Sequence, residues 1–291
     1  MGAIIGGHGY TLAMSDSVMP IPSLPPSASP LPAPARSAAS PVLLALDTAT
    51  ERLHVALVQG GATSARELPG GPQASAQLLP ALSALLGEAG LAWADVDAVA
   101  FGSGPGAFTG LRTACSVTQG LALGLDLPVI PLDTLMAVAE DARQGAAPEA
   151  LAGRTLWVLQ DARMDELYVA AFTWDGERWH TAEGPALWPA SEPLRRWAAT
   201  EADAVSAPRL CGNALLQCAA AFDGLPEGLA LPGGPQAMPA GQALAALAQR
   251  AWADGMAVDA ALALPRYVRD KVAQTTQERT QSRVAERATA P

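Results

Sequence analysis

From Val42 the chain reads VLLALD, a continuous apolar run of the kind carried by a strand buried on both faces. The next run, LHVALV (53–58), alternates: Leu53, Val55 and Leu57 share one face, and His54, Ala56 and Val58 the other. Gly60-Gly61 then turns the chain into a third short strand. Here the period lengthens to that of a helix, with Leu78, Leu82, Leu85, Leu86 and Ala89 on one stripe and Pro80 expected in the first turn or at a kink. A strand at 96–101 leads into a glycine-rich loop, GSGPGAFTGL (102–111), and a helix to Gly124 for which Thr109 is the candidate cap. LPVIPL (127–132) reads as a strand, and Asp133 as the cap of a helix over 134–143. A second set follows: strands TLWVLQD (155–161) and ELYVAAFTW (166–174), a turn at Asp175-Gly176 into a third strand, a strand end at 210–213, and helices at 214–222 and 240–254.

The two halves echo each other. LALDTATERLHVALV (44–58) laid over VLQDARMDELYVAAF (158–172) puts Asp47 on Asp161, Glu51 on Asp165, Leu53 on Leu167, Val55 on Val169 and Ala56 on Ala170. Each copy is an apolar strand with an acidic end, a tight turn and an alternating return strand, which predicts two similar lobes. Strands with helices mixed in after them point to α/β lobes facing across a cleft, with mixed sheets flanked by helices. The two-lobe actin-like, ribonuclease-H-like architecture is built this way. The expected boundaries are a Pro/Ala/Ser-rich arm at 1–41, one lobe at 42–150, a second at 151–272 and a polar, disordered tail at 273–291. The arm places eight prolines in residues 20–41, which no packed element can use. Residues 1–19 lack a basic start followed by an apolar stretch and a cleavage site, so no signal peptide is expected, and Met14 and Met19 are alternative starts.

Composition narrows the setting. The chain has 291 residues, half of them apolar, enough for a sizeable core. No apolar run reaches the roughly 18 residues of a membrane helix, so no membrane association is expected. Three scattered cysteines, Cys115, Cys211 and Cys218, fit a reduced, cytoplasmic location better than a disulfide framework. The net charge is -10. Residues 1–41 are neutral, with Asp16 against Arg36, and residues 265–291 carry six cations against three acids, which leaves -13 on the body between them. An acidic body repels phosphate backbones, so work on nucleic acid would need another chain's grip.

The glycine loop, with Gly102, Gly104, Gly106 and Gly110, invites a phosphate reading. It is not a P-loop, because no Gly-Lys-Ser/Thr follows, and Ala107 occupies the last glycine of a dinucleotide fingerprint. An anion nest at the helix start and a tight strand-to-helix connection both stay open. In actin-like lobes the phosphate-wrapping hairpin reads Asp-x-Gly-x-Thr, since only glycine lets the backbone come so close. Here it reads Asp47-Thr48-Ala49-Thr50, and Arg163 holds the matching place in the second half. Asp47, Ala49 and Thr50 are therefore expected to form a vestigial phosphate hairpin, a structural turn capped by Asp47. The histidines, His8, His54 and His180, are far apart and no cysteine cluster exists, so neither a metal site nor a metallopeptidase is expected. No nucleophile turn suits Ser–His–acid chemistry. Asp161, Arg163, Asp165 and Glu166 form a charged turn, either a site or a solvated hairpin end. No catalytic residue emerges. An actin-like ATPase or small-molecule kinase working in the cleft is the rival to a non-catalytic partner subunit.

Missing charge stands out more than any motif. Between Ser75 and Gly90 the only charged residue is Glu88, and between Thr109 and Gly124 only Arg112. Leu111, Cys115, Thr118 and Ala122 recur at steps of four and three, beside the small Ala114, Gly120 and Gly124. Two such helices are either sandwiched inside one lobe or present an apolar face to a partner; an interface explains why neither keeps a charged face.

Together LALDTATERLHVAL, GSGPGAFTGLRTACSVTQGLALGLDLPVIPLDTLMAVA, DARMDELYVA and PRYVRDKVA resemble the TsaB (YeaZ) family, from about Val42 to Ala273. That family is the bacterial dimerisation subunit of the tRNA threonylcarbamoyladenosine machinery. The resemblance implies the actin-like fold, no catalysis by this chain, and pairing with TsaD, which transfers the threonylcarbamoyl group to the adenosine beside the anticodon. TsaE, an ATPase, docks on the pair. It also implies that the chain alone binds no cofactor: threonylcarbamoyl-adenylate, ATP and metal belong to the partner subunits, and tRNA is met only through the complex. Self-pairing of the lone chain stays open. The interface residues then expected are Leu78, Leu82, Leu85, Leu86, Leu111, Arg112, Cys115, Thr118, Gln119 and Ala122. One departure is Ala74-Ser75, where the family often shows His-Thr.

Overall fold

The computed structural model describes residues 40–201 and 206–269; all but the end of the 1–41 arm and the tail from 270 onward lie outside the described residues. The chain opens with an antiparallel meander, β1 (Val42–Asp47), β2 (Arg52–Gln59) and β3 (Ala62–Pro69). Then come α1 (Ala74–Glu88), β4 (Ala98–Gly104), α2 (Phe108–Leu125), β5 (Val129–Asp133) and α3 (Thr134–Gln144). These strands make one sheet in the order β3-β2-β1-β4-β5, with β4 parallel to both β1 and β5. The second half repeats the plan. β6 (Thr155–Asp161), β7 (Glu166–Trp174) and β8 (Trp179–Pro189) are antiparallel. After α4 (Glu192–Trp197), β9 (Arg209–Cys211) joins β6 in parallel, followed by α5 (Ala214–Gln217) and α6 (Gly241–Ala253). The second sheet runs β8-β7-β6-β9.

The sequence echo is real in three dimensions but shifts by one residue at the turn. Asp47 ends β1 opposite His54, whereas Asp161 ends β6 opposite Leu167, so the second hairpin is a residue tighter. It closes through Arg163, Met164 and Asp165, all left-handed with φ of 63°, 59° and 56°.

The helices sort into layers by where their apolar stripes point. α1 and α2 cover one face of the first sheet, packing Leu78, Leu82 and Leu85 on Leu44, Leu46, Val55 and Phe101. α6 covers the other face, with Leu244, Ala245 and Ala248 over Leu43, Ala45, Ala56 and Val58. α3 turns Leu135, Val138 and Ala142 toward Leu156, Val158 and Phe172 of the second sheet, whose far face holds α4 and α5. The lobe expected at 151–272 is thus not self-contained, because its helix α6 completes the first lobe. The double coverage explains the uninterrupted apolar run of β1.

Two local expectations change. Pro80 sits inside α1 on its exposed side, beyond the first turn. α2 starts earlier than expected, with Ala107 rather than Thr109 at its N-cap. The Ala107 N–H donates to the Ala49 carbonyl at 2.8 Å, so another strand's turn, not a side chain, fixes the helix start. Asp133 caps α3 as expected, its Oδ1 accepting from the N–H groups of Leu135 (2.9 Å) and Met136 (3.1 Å).

One buried carboxylate ties the layers together. Glu140 of α3 has no exposed side-chain surface. It accepts two hydrogen bonds of 2.8 Å from the Arg143 guanidinium and one of 2.8 Å from Trp179 Nε1 of β8, and lies 3.1 Å from Arg250 of α6. Trp174 packs under both guanidiniums, at 4.3 and 5.0 Å. Burial pushes the Glu140 carboxyl up, but Arg143, Trp179 and Arg250 outweigh it and hold it below the usual glutamate range. Removing the anion strands two half-buried cations between the lobes. Glu140→Ala is therefore expected to lower unfolding stability by about 3 kcal/mol in urea titrations at pH 7; a loss well under 1 kcal/mol would show that the cluster does not hold the lobes.

Candidate functional site

The glycine loop closes on the first hairpin instead of opening to a phosphate. Thr48 Oγ1 donates to the Gly110 carbonyl at 2.6 Å, and a Cβ on Gly110 would stand 1.8 Å from the Thr48 carbonyl oxygen. A Cβ on Gly106 would meet Ala49 Cβ at 2.5 Å, and one on Gly102 would meet Asp47 Oδ2 at 1.7 Å. Gly104, at φ +112°, lies where a Cβ would be 2.8 Å from the Arg266 carbonyl oxygen. Each of the four glycines is thus needed for close packing within the chain, which supports the tight connection over the anion nest. Ala49, in the glycine's place, is buried under the loop.

Asp47 is fully buried and does not face the cleft. Its Oδ1 accepts from the Ala49 N–H at 2.7 Å and its Oδ2 from the Thr134 hydroxyl at 2.9 Å. Burial pushes its pKa up to about 6, against the pull of those two hydrogen bonds. Thr50 stays at the cleft edge, its hydroxyl 3.2 Å from both the carbonyl and the N–H of Arg52.

Between the lobes lies a cleft of about 460 Å³, lined by residues 49–51 and 105–108 of the first lobe and by 160–164, Tyr168 and Asn213 of the second. A strap, residues 266–269, also lines it. The Arg266 N–H donates to the Ser103 carbonyl at 2.6 Å and its guanidinium pairs with Asp133 at 3.2 Å. Tyr267 stacks on Phe108 with centroids 5.1 Å apart, and its hydroxyl accepts from Arg112 Nε at 2.9 Å. Arg269 pairs with Glu166. The charged turn of the second hairpin also bridges the lobes: Arg163 reaches Asp161 at 3.1 Å and Glu51 at 3.4 Å. His54 is buried in β2, and His180 lies on β8 beside Asp175, 2.6 Å away.

The two uncharged helices are arranged differently from expectation. Leu78, Leu82, Leu85, Leu86, Leu111, Cys115, Thr118 and Ala122 are all buried in the chain's own core, none more than 4% exposed, and so are not available to a partner. The large side chains face the sheet because that is where apolar area is removed from water. Arg112 and Gln119 remain at the surface. Outward instead point Ser75, Ala76, Leu79 and Ser83 of α1, and Thr109, Ser116, Gly120, Leu123 and Gly124 of α2. Leu79 is 44% and Leu123 72% exposed. This face is apolar or small, and Arg112 is its main charge.

Comparison with known proteins gives the lineage. Residues 72–277 match the family described as TsaD: tRNA N6-adenosine threonylcarbamoyltransferase. The tRNA threonylcarbamoyladenosine biosynthesis protein TsaB of Escherichia coli K12 is 31% identical over 245 residues, covering 79% of this chain and 96% of that protein. The chain belongs to the TsaB (YeaZ) family. The solved structure of YeaZ from Pseudomonas aeruginosa superposes with a TM-score of 0.64 at 35% identity, covering 78% of this chain and 99% of that one. The Haemophilus influenzae TsaB is 44% identical over a shorter span, 43% of this chain and 51% of that protein. The family assignment and the actin-like fold implied by the sequence resemblance both hold.

Sequence reasoning missed Glu140, Gln160 and Tyr267. The first two were visible as polar residues at core positions: Glu140 interrupts the apolar face of α3, and Gln160 shares the face of Leu156 and Val158. Nothing in the sequence signalled Tyr267.

Two outcomes test this packing. Gly110→Ala forces a Cβ into backbone and is expected to cost about 3 kcal/mol, whereas Gly120→Ala, with no neighbour within 4 Å, should stabilise the exposed helix by up to about 1 kcal/mol. Equal effects at the two positions would refute the packing role of the loop. Asp47 makes stability depend on pH. Its native carboxyl keeps a proton up to about pH 6, whereas the unfolded group loses it near 4, so this stabilisation is present below pH 4 and lost as pH rises through 6. Asp47→Asn, which cannot ionise, should gain about 3 kcal/mol relative to wild type between pH 4 and 7 in urea denaturation; a constant difference across that range would refute the buried, protonated acid.

Proposed function

We propose that this chain is a non-catalytic pairing subunit in tRNA threonylcarbamoyladenosine biosynthesis, the process named for its relatives. The observation that carries the reading is the filled hairpin: the backbone that would wrap a phosphate is occupied by the chain's own glycine loop. The charge-poor outward face of α1 and α2 is the surface offered to TsaD, and TsaE docks on the pair. ATP, threonylcarbamoyl-adenylate and metal are held by those subunits. The acidic body meets tRNA only through the complex, in the cytoplasm. Without TsaD, the same face is free to pair with a second copy of the chain. The rival reading, an actin-like ATPase, is tested by following ATP with Mg²⁺ over the purified chain: no turnover above blank is expected.

The pairing surface is tested with charges. Leu79→Arg and Leu123→Arg place a cation on the outward face without touching the core, and a cation desolvated in a partner seam costs several kcal/mol. Both variants are expected to fold normally by circular dichroism and to bind TsaD from the same cell at least a hundredfold more weakly. Cys115→Arg, by contrast, should fail to fold. If both surface variants co-elute with TsaD as the wild type does, the pairing face lies elsewhere.

A further inference from the structure

We propose that the proline-rich arm docks on its own chain, in a groove beside the start of β1, with Arg36 held by the carboxylates there. The groove, of about 570 Å³, is lined by Trp93, Val96 and Asp97 ahead of β4 and by Gly124, Asp126 and Leu127 at the end of α2. The chain enters β1 at this groove. Asp97 is only 8% exposed; its Oδ2 accepts from the Val42 N–H at 2.8 Å, and its own N–H donates to the Val42 carbonyl at 2.8 Å. Pro41, the residue before, is half-buried. Residues 1–39, which lie outside the described residues, therefore join the fold beside a wall of the groove. A short tether of this kind presents its segment at about millimolar effective concentration, an advantage that a second copy or another protein lacks.

The groove and the arm match in chemistry. Trp93, Leu127 and Pro128 are only half-buried, so the groove keeps an aromatic and apolar wall. Asp97 and Asp126 line it and Asp95 adjoins it, and none of the three forms an ion pair among the described residues. The carbonyl end of α2 adds partial negative charge, with no basic residue in its last turn to offset it. On the arm, Pro30, Pro32 and Pro34 favour the extended polyproline conformation, which is ordered before it binds and fits aromatic-lined grooves. From Ser17 to Pro41 the one charged residue is Arg36, a cation. At about 3.1 Å per residue it stands roughly 15 Å from Pro41, close enough for its long side chain to meet those carboxylates. The groove reaches Gly124, next to Leu123 of the outward face of α2, so the docked arm borders that face.

The Trp93 indole N–H signal of the full-length ¹⁵N-labelled protein, assigned by its absence in Trp93→Phe, reads the groove. Deleting residues 1–39 should move this signal. A synthetic peptide of residues 26–39, added to the shortened chain at up to millimolar concentration, should move it back saturably, and the same peptide with Arg36→Glu should bind at least fivefold more weakly. In the full-length chain Arg36→Glu alone should shift the signal toward its position in the shortened one, with the melting temperature of the folded body unchanged. The proposal is overturned if the signal is the same with and without the arm, if Arg36→Glu leaves it in place, or if the peptide has no effect on it. A signal that moves with protein concentration but not with the peptide would assign the groove to a second copy, and one that moves only on adding TsaD would assign it to that subunit; either result overturns the proposal. The arm readouts need no TsaD, so they stand or fall apart from the pairing reading.

Discussion

Everything about this site follows from one steric constraint: two pieces of backbone, the turn after β1 and the first turn of α2, occupy the space where a ligand's phosphate would otherwise lie. The contact leaves no room for a side chain on Gly110 or Gly106, and the hydrogen bonds from Ala107 and Thr48 hold it shut. It sets where α2 begins and therefore the direction in which its outward face looks. It also seals Asp47 away from water, in a pocket where ionising the acid costs more than it does in solvent. The closed hairpin and the placement of α2 are two results of the same packing.

The Glu140 cluster sets the relation between the lobes. In a two-lobed protein that closes on its ligand, the elements between the lobes must slide or bend. Here they are joined by a buried anion shared among α3, α6 and β8, and the strap adds Arg266, Tyr267 and Arg269 along the cleft. Such coupling favours a fixed shape over a moving one.

Much of the fold was legible because hydrophobic period reports burial directly. VLLALD could only be a strand covered on both sides, and Asp133 before an apolar run could only be a cap. The internal echo gave the two lobes. The orientation of α1 and α2 was not legible, since period tells which residues share a face but not which face is inside when neither carries charge. Side-chain size held most of the answer: Leu78, Leu82, Leu85, Leu86 and Leu111 inward, serine and glycine outward, with Leu79 and Leu123 the exceptions. The glycine loop was ambiguous for a similar reason. Glycine permits close approach of backbone to phosphate or of backbone to backbone, and only the tertiary partner, Thr48 or Ala49, decides which. Tyr267 was beyond reach because it meets Phe108 and Arg112 across more than 150 positions of chain.

The return of α6 to the first lobe has a consequence for how the protein is made. Leu43, Ala45, Ala56 and Val58 form a sheet face covered largely by Leu244, Ala245 and Ala248 of α6, some 190 residues later in the chain. As synthesis proceeds from the N-terminus, that face is finished early but stays bare until α6 emerges from the ribosome, a wait of at least about 10 seconds at ordinary elongation rates. The lobe that carries α1 and α2 is therefore the last to be completed, and a chain released early would hold those helices on an unfinished core.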